Sequence, residues 1–277
     1  MLMQSNSSFT TPLTKEQLMQ KAPVIYADAP TMPLSDKYVH IPTSQVIDDL
    51  GKLGWVPVDA MQRSSRGKGG RFSKHMVKFQ NPELKIKGKE GDDAFPQIIL
   101  TNSHDGLSSF KFMVGIYRLV CSNGLVVADE EFSNFKIRHM GYSFAELQEM
   151  VHQAVEDLPN KIEVINKMKN RVMTEEEQRD MALKAFLLRK GIKLDSEQAA
   201  EAEVENDVLD SILEVQREED KGDDAWVVFN RIQEAMINGG FKAALKGAKV
   251  RKVRKIKSFE KDIKLNQDLF KLATSLI

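Results

Sequence analysis

The chain has 277 residues, 42% hydrophobic and 29% charged, which is enough for one large or two smaller globular domains. Its 40 basic and 40 acidic side chains cancel, and no apolar run approaches the roughly 18 residues needed to span a bilayer, which argues against a membrane protein. The single cysteine, Cys121, excludes an internal disulfide and a cysteine-built zinc site and, with a polar N-terminus, favours a reducing cytoplasm over secretion.

The N-terminal part is rich in proline and polar residues. Residues 1–40 contain four prolines and predict an extended arm with one helical turn at 14–21. A helix follows, because Thr43 or Ser44 is a suitable N-cap and apolar residues recur at helical spacing up to Leu53. Gly51 or Gly54 is expected to end this helix.

The middle of the chain alternates β-branched, aromatic and polar residues between turn signals. This pattern predicts an antiparallel meander of about six strands. The strands are expected at 55–61, 72–79, 95–101, on both sides of the Ser122-Asn123-Gly124 turn within 110–127, and at 132–138.

From residue 143 the apolar spacing becomes helical. Ser143 and Thr174 each begin a helix N-terminal signal, and Asp223 or Asp224 can cap a helix that ends at Gly239-Gly240. The predicted fold class is therefore α+β, with an antiparallel β-meander preceded by one helix and followed by a long helical C-terminal region. The predicted divisions are an arm at 1–40, an α+β core at 41–172 and a helical region at 173–277.

Charge is unevenly distributed along the chain. Residues 63–89 carry nine basic side chains and one acidic side chain, residues 195–224 are strongly acidic, and residues 242–257 are basic without a carboxylate. The local field therefore differs between segments although the net charge is zero.

The first basic segment is the main candidate site. Glycines at 67, 69 and 70 would let backbone N–H groups and cations approach phosphates together, and the aromatic residues Phe72 and Phe79 suit unpaired bases. The predicted nucleic-acid-binding residues are Arg63, Arg66, Lys68, Arg71, Lys74 and Lys78, with Arg118 as a secondary candidate for phosphate contact. The alternative is an ordinary solvated hairpin.

The second basic segment has Val250, Val253 and Ile256 at every third position. This spacing is typical of an amphipathic helix with a cationic face, which could bind phosphates. Pairing of this segment with the acidic residues 195–224 is the alternative.

Catalytic patterns are weak. Asp59 with Glu83-Leu84-Lys85 and Asp92-Asp93 superficially matches a metal-dependent nuclease, but Pro82 and a polar loop argue against a core strand there. The five histidines form no metal motif, and Cys121 lies in so apolar a run that a buried, inert thiol is expected. The sequence thus predicts a non-enzymatic protein with no cofactor and no metal.

Two stretches of the chain carry a family resemblance. They are Val114-Gly-Ile-Tyr-Arg-Leu-Val-Cys-Ser-Asn-Gly-Leu125 and Asp224-Ala-Trp-Val-Val-Phe-Asn-Arg-Ile-Gln-Glu234. Both resemble a phage and plasmid protein family known only as domain-of-unknown-function family nine-three-two. The likeness covers most of residues 40–275 and implies a mobile-element origin, without catalytic residues to carry over. The order of helix, meander, basic hairpin and long helix is also similar to Rad-fifty-two-type single-strand annealing proteins. That likeness implies a DNA backbone held by the basic hairpin in a ring or filament.

These observations lead to one main functional hypothesis and one alternative. The main hypothesis is a cytoplasmic, homo-oligomeric single-stranded DNA-binding protein of phage or plasmid replication or recombination, which promotes strand annealing. The alternative is a structural or interaction protein that oligomerises without nucleic acid.

Overall fold

The computed structural model describes residues 11–27, 40–63, 74–84, 94–104, 110–118 and 143–277. The chain divides into two compact units, the first ending at Leu158 and the second running from Pro159 to Ile277. The predicted divisions at residues 40 and 172 stay predictions. The predicted turn at 122–124 and the predicted strand at 132–138 lie outside the described residues.

The first unit opens with helix α1 (Lys15–Lys21) and a short 3-10 turn (Pro23–Tyr26). The α1 helix begins with a capping box, in which Thr14 Oγ1 accepts from the Gln17 backbone N–H and the Gln17 side chain accepts from the Thr14 N–H. The Leu13 N–H donates to the Pro57 carbonyl at 2.7 Å, so this segment packs on the sheet described below rather than forming only an extended arm.

Helix α2 (Thr43–Lys52) lies where the sequence predicts it, but its N-terminus differs. Pro42 occupies the capping position and supplies no side-chain bond, while the Thr43 hydroxyl contacts His75 and Asn102 instead. The apolar face buries Val46 and Leu50 completely. The prediction of Thr43 or Ser44 as the cap was therefore wrong, because Thr43 is committed to a buried polar network.

Four antiparallel strands form one sheet in the order β1-β2-β3-β4. Their bounds are β1 (Val56–Gln62), β2 (His75–Gln80), β3 (Ala94–Asn102) and β4 (Lys111–Arg118). Pro57 lies on the edge strand beside a register shift, where a missing N–H is tolerated. Pro96 precedes Gln97, the first β3 residue that pairs with β2, and it lies opposite Ile116 of β4.

One face of the sheet packs against helices. Val77, Phe79, Ile98, Leu100 and Phe112 are at most 1% exposed, and they share a core with α1, α2 and helix α3 (Phe144–Glu156). Helix α3 starts at the predicted cap, because Ser143 Oγ accepts from the Glu146 N–H at 3.2 Å. The fold class is α+β, as predicted, although two helices rather than one precede the sheet.

The opposite face of the sheet is also buried, and it includes polar groups. Met76, Gln80, Gln97, Ile99 and Thr101 are at most 3% exposed. Gln80 pairs with Gln97 across the β2–β3 ladder, and within the described chain neither side-chain atom of the Gln80 amide has a hydrogen-bond partner. This burial on both faces explains why β2 lacks a clear alternation of apolar and polar residues.

The buried amide gives a stability prediction. We expect Gln80→Met to raise the free energy of unfolding by about 1–2 kcal/mol, because it removes an unsatisfied polar group while keeping the side-chain volume. Denaturant unfolding measured by Trp55 fluorescence in a Trp226→Phe background would follow the first unit alone, since the chain has only 2 tryptophans. The control Gln45→Met, on the exposed side of α2, should change little, and a loss of stability in Gln80→Met would contradict the prediction.

The second unit is mostly helical. Its helices are α4 (Leu158–Asn170), α5 (Glu175–Lys190), α6 (Glu197–Ala200), α7 (Asn206–Leu213), α8 (Ala225–Asn238) and α9 (Phe259–Thr274). Phe186 of α5, Phe229 of α8 and Leu269 of α9 are fully buried. Two predicted helix starts are confirmed, because Thr174 forms a capping box with Glu177 and Asp224 Oδ1 accepts from the Val227 N–H at 3.0 Å.

Candidate nucleic-acid interface

The structure describes only part of the predicted DNA-binding set. Arg66, Lys68 and Arg71 lie outside the described residues, as does the side chain of Arg118 at the end of β4. Arg63 is exposed, and its N–H donates to the Lys74 carbonyl at 2.9 Å, so a backbone hydrogen bond joins these two residues. Lys78 is half-buried on the second face of the sheet, four residues beyond Lys74. The described members therefore do not form one continuous exposed row.

The second basic segment forms a β-hairpin in the second unit. Strand β5 (Lys242–Ala243) pairs antiparallel with β6 (Arg251–Lys252), and the Val253 N–H donates to the Phe241 carbonyl at 2.8 Å. The helix predicted from the three-residue apolar spacing was wrong. The region contains three glycines with positive φ, Gly239, Gly240 and Gly247, which favour a chain reversal and a turn over a helix.

At the start of this hairpin, position 239 has room only for glycine. Gly239 has φ +63°, and a Cβ added there would lie 2.5 Å from the Val253 carbonyl oxygen. The adjacent Gly240 N–H donates to the same carbonyl at 2.9 Å. On the other strand, Arg189 of α5 donates to the Arg254 carbonyl at 2.6 Å, and the Ile256 N–H donates to the Ile237 carbonyl at 2.9 Å. The hairpin is thus joined to α5 and α8 through its backbone, which leaves its charged side chains outside.

The cations of this hairpin are exposed and almost all lack an acidic partner. Seven basic side chains of this segment are exposed and form no ion pair with any described carboxylate. They are Lys242, Lys249, Arg251, Lys252, Arg254, Lys255 and Lys257. The register places Lys242 directly opposite Lys252, an arrangement of like charges that destabilises a ladder. We call these seven residues the cationic hairpin surface.

Lys246 is the exception. Its Nζ lies 2.5 Å from Glu203 Oε2, and its backbone N–H donates to the Glu203 carbonyl at 2.8 Å. The hydrogen bond raises the pKa of Lys246 and lowers that of Glu203. The predicted pairing between the basic segment and the acidic residues 195–224 is therefore present at this one position among the described ion pairs.

Other acidic residues of that segment pair elsewhere. Asp220 binds Arg217, which also binds Glu234 of α8, and Asp210 lies 2.7 Å from Arg179. Buried Arg231 donates to the Gly222 carbonyl at 2.8 Å, and burial lowers its pKa against the opposing effect of Asp223, Asp220 and Asp224. These contacts hold the helices of the second unit together, and they do not neutralise the cationic hairpin surface.

The structure also reveals a buried histidine cluster in the first unit. The ring centroid of His104 lies 4.6 Å from that of His40 and 5.2 Å from that of His75. Thr43 Oγ1 lies 2.8 Å from His75 Nε2 and accepts from Asn102 Nδ2 at 3.0 Å. His40, His75 and His104 are far apart in the sequence and match no motif, so only the folding of the first unit brings them together.

The cluster shows how its surroundings control protonation. Burial, followed by the nearby His75 and His40, lowers the pKa of His104 from 6.5 to about 3, with the Val24 backbone acting in the opposite direction. His104 is therefore neutral near pH 7. In the part of the chain that the structure describes, no three His, Cys, Asp or Glu side chains are arranged to hold a metal ion.

This pKa gives a pH prediction. The unfolded chain binds a proton at His104 below about pH 6.5, whereas the folded chain does not until about pH 3. Stability should therefore fall by about 1.4 kcal/mol per pH unit through this window as pH decreases. His104→Gln should reduce that slope in denaturant unfolding followed by Trp55 fluorescence.

The matched control is His152→Gln, which removes an exposed histidine of α3 and should leave the slope unchanged. The comparison between the two variants cancels the contribution of carboxylates that also titrate at low pH. An identical slope in His104→Gln and in the parent protein would contradict the assignment.

The nuclease pattern finds no support in the described geometry. Asp59 Oδ1 forms an ion pair with Lys21 at 2.8 Å, and Glu83 lies in an exposed turn where its N–H donates to Asn81 Oδ1 at 3.0 Å. Lys85, Asp92 and Asp93 lie outside the described residues. None of the helices in the described ranges has both the length and the apolar character that a bilayer crossing requires.

Together these features define an α+β protein with a β-meander unit and a helical unit that carries a cationic hairpin. The chain belongs to the family described as "Domain of unknown function (DUF932)", whose model matches residues 33–270. It is 31% identical over 268 residues to UPF0380 protein YafZ of Escherichia coli, covering 96% of this chain and 92% of the relative. It is 32% identical over 273 residues to UPF0380 protein YfjQ of the same organism, with the same coverage of each chain.

The comparisons confirm the family resemblance seen in the sequence. No solved structure matches the chain, and the likeness to Rad-fifty-two-type annealing proteins has no support from these findings. Any function must therefore be argued from the residues of this chain.

Proposed function

We propose that this protein binds single-stranded nucleic acid through the cationic hairpin surface. The supporting observation is a set of seven exposed cations that includes a directly opposed lysine pair, with no described carboxylate bound to them. A polyanion would relieve that repulsion, and each neutralised phosphate would release counterions. The proposed activity is non-enzymatic binding that promotes strand annealing, carried out by a homo-oligomer in the cytoplasm during phage or plasmid replication or recombination.

Single strands are favoured over duplex because apolar side chains alternate with the charges. Val250 is 61% exposed between Lys249 and Arg251, and Val253 and Ile256 are half-buried between basic neighbours. An unpaired strand offers phosphates to the cations and base faces to the aliphatic groups, whereas a duplex hides its base faces. The cations predicted from the sequence between Arg63 and Lys78 stay part of the proposal as a second contact.

The first prediction concerns affinity and its salt dependence. We expect replacement of Arg251, Lys252, Arg254 and Lys255 by Gln to weaken binding of a thymidine oligonucleotide at least tenfold at low salt. Each lost phosphate contact should also reduce the slope of log affinity against log salt by about 0.7, which a filter-binding titration measures.

The matched control replaces Lys193, Lys221, Lys261 and Lys271 by Gln. These lysines are exposed in the same unit, so the control has the same net charge but an intact hairpin. Equal losses in the two variants would show that only total charge matters. A parent affinity that hardly changes between low and moderate salt would remove the phosphate mechanism.

A second prediction separates binding from stability. Lys252→Thr removes the like-charge pair with Lys242 and places a β-branched residue in the strand, so stability should rise by about 0.2–1 kcal/mol. Affinity for single-stranded DNA should fall at the same time. Thermal unfolding and filter binding on one preparation measure both, and a variant that loses stability together with affinity would point to a structural role for Lys252.

One observation favours a second candidate function. The contact between Lys246 and Glu203 shows that the acidic and basic segments of this chain can pair, so the remaining charges could join different copies. Light scattering with and without oligonucleotide distinguishes the candidates. A fixed oligomer that does not respond to DNA favours a structural or interaction protein, whereas assembly that depends on DNA favours the binding function.

A further inference from the structure

A cavity of about 760 Å³ lies in the second unit, next to the cationic hairpin surface. Helix α7 provides one wall, the C-terminal half of α8 provides another, and residues 239–242 at the start of the hairpin complete it. Its size is within the range of about 300–1,000 Å³ that is usual for small-ligand sites. Lys242 belongs both to this cavity and to the cationic surface, so a bound strand could reach the two features together.

The lining combines apolar walls with hydrogen-bonding groups. Val208 and Ile212 of α7, Ala235 of α8 and Phe241 supply apolar surface, and Ser211 and Gln216 supply polar groups. Phe241 is half-buried, so part of its ring remains accessible. A flat heterocycle with polar edges fits such a lining better than a purely apolar or a purely ionic ligand does.

Charge at the cavity differs from charge on the hairpin. Asp207 and Glu214 are exposed carboxylates of the lining, and Glu234, also in the lining, is already bound by Arg217. These carboxylates disfavour entry of a phosphate, while the adjacent cations attract it. A ligand with a neutral ring and an anionic backbone would therefore bind in one orientation.

We propose that this cavity receives an unpaired nucleobase of the strand whose phosphates bind the cationic hairpin surface. The inference rests on the proposed function, and it adds a recognition element that distinguishes single strands from duplex. Base pairing would prevent entry, because the base edge and both faces are then occupied. The hairpin supplies affinity for the backbone, and the cavity supplies selectivity for the unpaired state.

The test has two arms. In one, a larger side chain fills the cavity of the protein, and in the other, the oligonucleotide lacks its bases. Ala235→Leu narrows the cavity from α8, and Ser211→Leu narrows it from α7, so two variants guard against misfolding of one. Ala200→Leu, at the exposed end of α6, is the control. The probes are a thymidine oligonucleotide, a strand of equal length with abasic sugars and the same phosphates, and a duplex.

We expect the parent protein and Ala200→Leu to bind the thymidine strand about tenfold more tightly than the abasic strand, since base contacts contribute energies of that order. The two filling variants should lose most of that preference and keep their affinity for the abasic strand. Equal affinity of the parent for the two strands, or an unchanged preference in both folded filling variants, would overturn the inference.

The experiment can contradict the proposed function and the base cavity independently of each other. If the parent protein binds neither strand, the nucleic-acid proposal itself is wrong. If it binds both strands equally and with strong salt dependence, the hairpin proposal survives and the base cavity does not. Competition with thymidine monophosphate identifies the source of the base, because displacement of the strand at micromolar concentrations would make the ligand a free nucleotide and overturn the assignment to a strand.

Discussion

Repulsion between like charges is the constraint that gives the second unit its character. Lys242 and Lys252 face each other in a ladder of only two residues per strand, and five further cations surround them. A ladder this short cannot offset such repulsion by itself. Hydrogen bonds to the backbone of the hairpin hold it instead. The Gly240 N–H and the Arg189 side chain donate to its carbonyls, and the Ile237 carbonyl accepts from one of its N–H groups. Its shape therefore does not depend on neutralising its charge.

Local signals in the sequence predicted the helix boundaries well, because caps act over three or four residues. Ser143, Thr174 and Asp224 all accept the backbone N–H bonds expected of them. Thr43 is the exception, since residues about 30 and 60 positions later compete for its hydroxyl. Interactions between distant residues are not visible in local patterns, and the cluster of His40, His75 and His104 escaped the sequence for the same reason.

The basic segment at 242–257 shows a different limit. Apolar residues at every third position favour a helix by periodicity, but an extended segment that is anchored by its backbone can bury Val253 and Ile256 partly without helical spacing. Composition correctly located the charge, and only the structure shows which cations have partners. Composition favoured the basic segment that contains Arg63 and Lys78, yet half-buried Lys78 lies on a face of the sheet that is itself buried.

The arrangement of charge in the second unit bears on the choice between a nucleic acid and a protein partner. If the hairpin existed mainly to pair with the acidic segment, its cations should meet those carboxylates within the same unit, where the effective concentration is high. Only Lys246 does so among the described pairs, while Asp210 and Asp220 bind the arginines Arg179 and Arg217. Asp210 and Asp220 thus have structural partners of their own, and this favours the proposal that the cations of the hairpin bind a ligand from outside the chain.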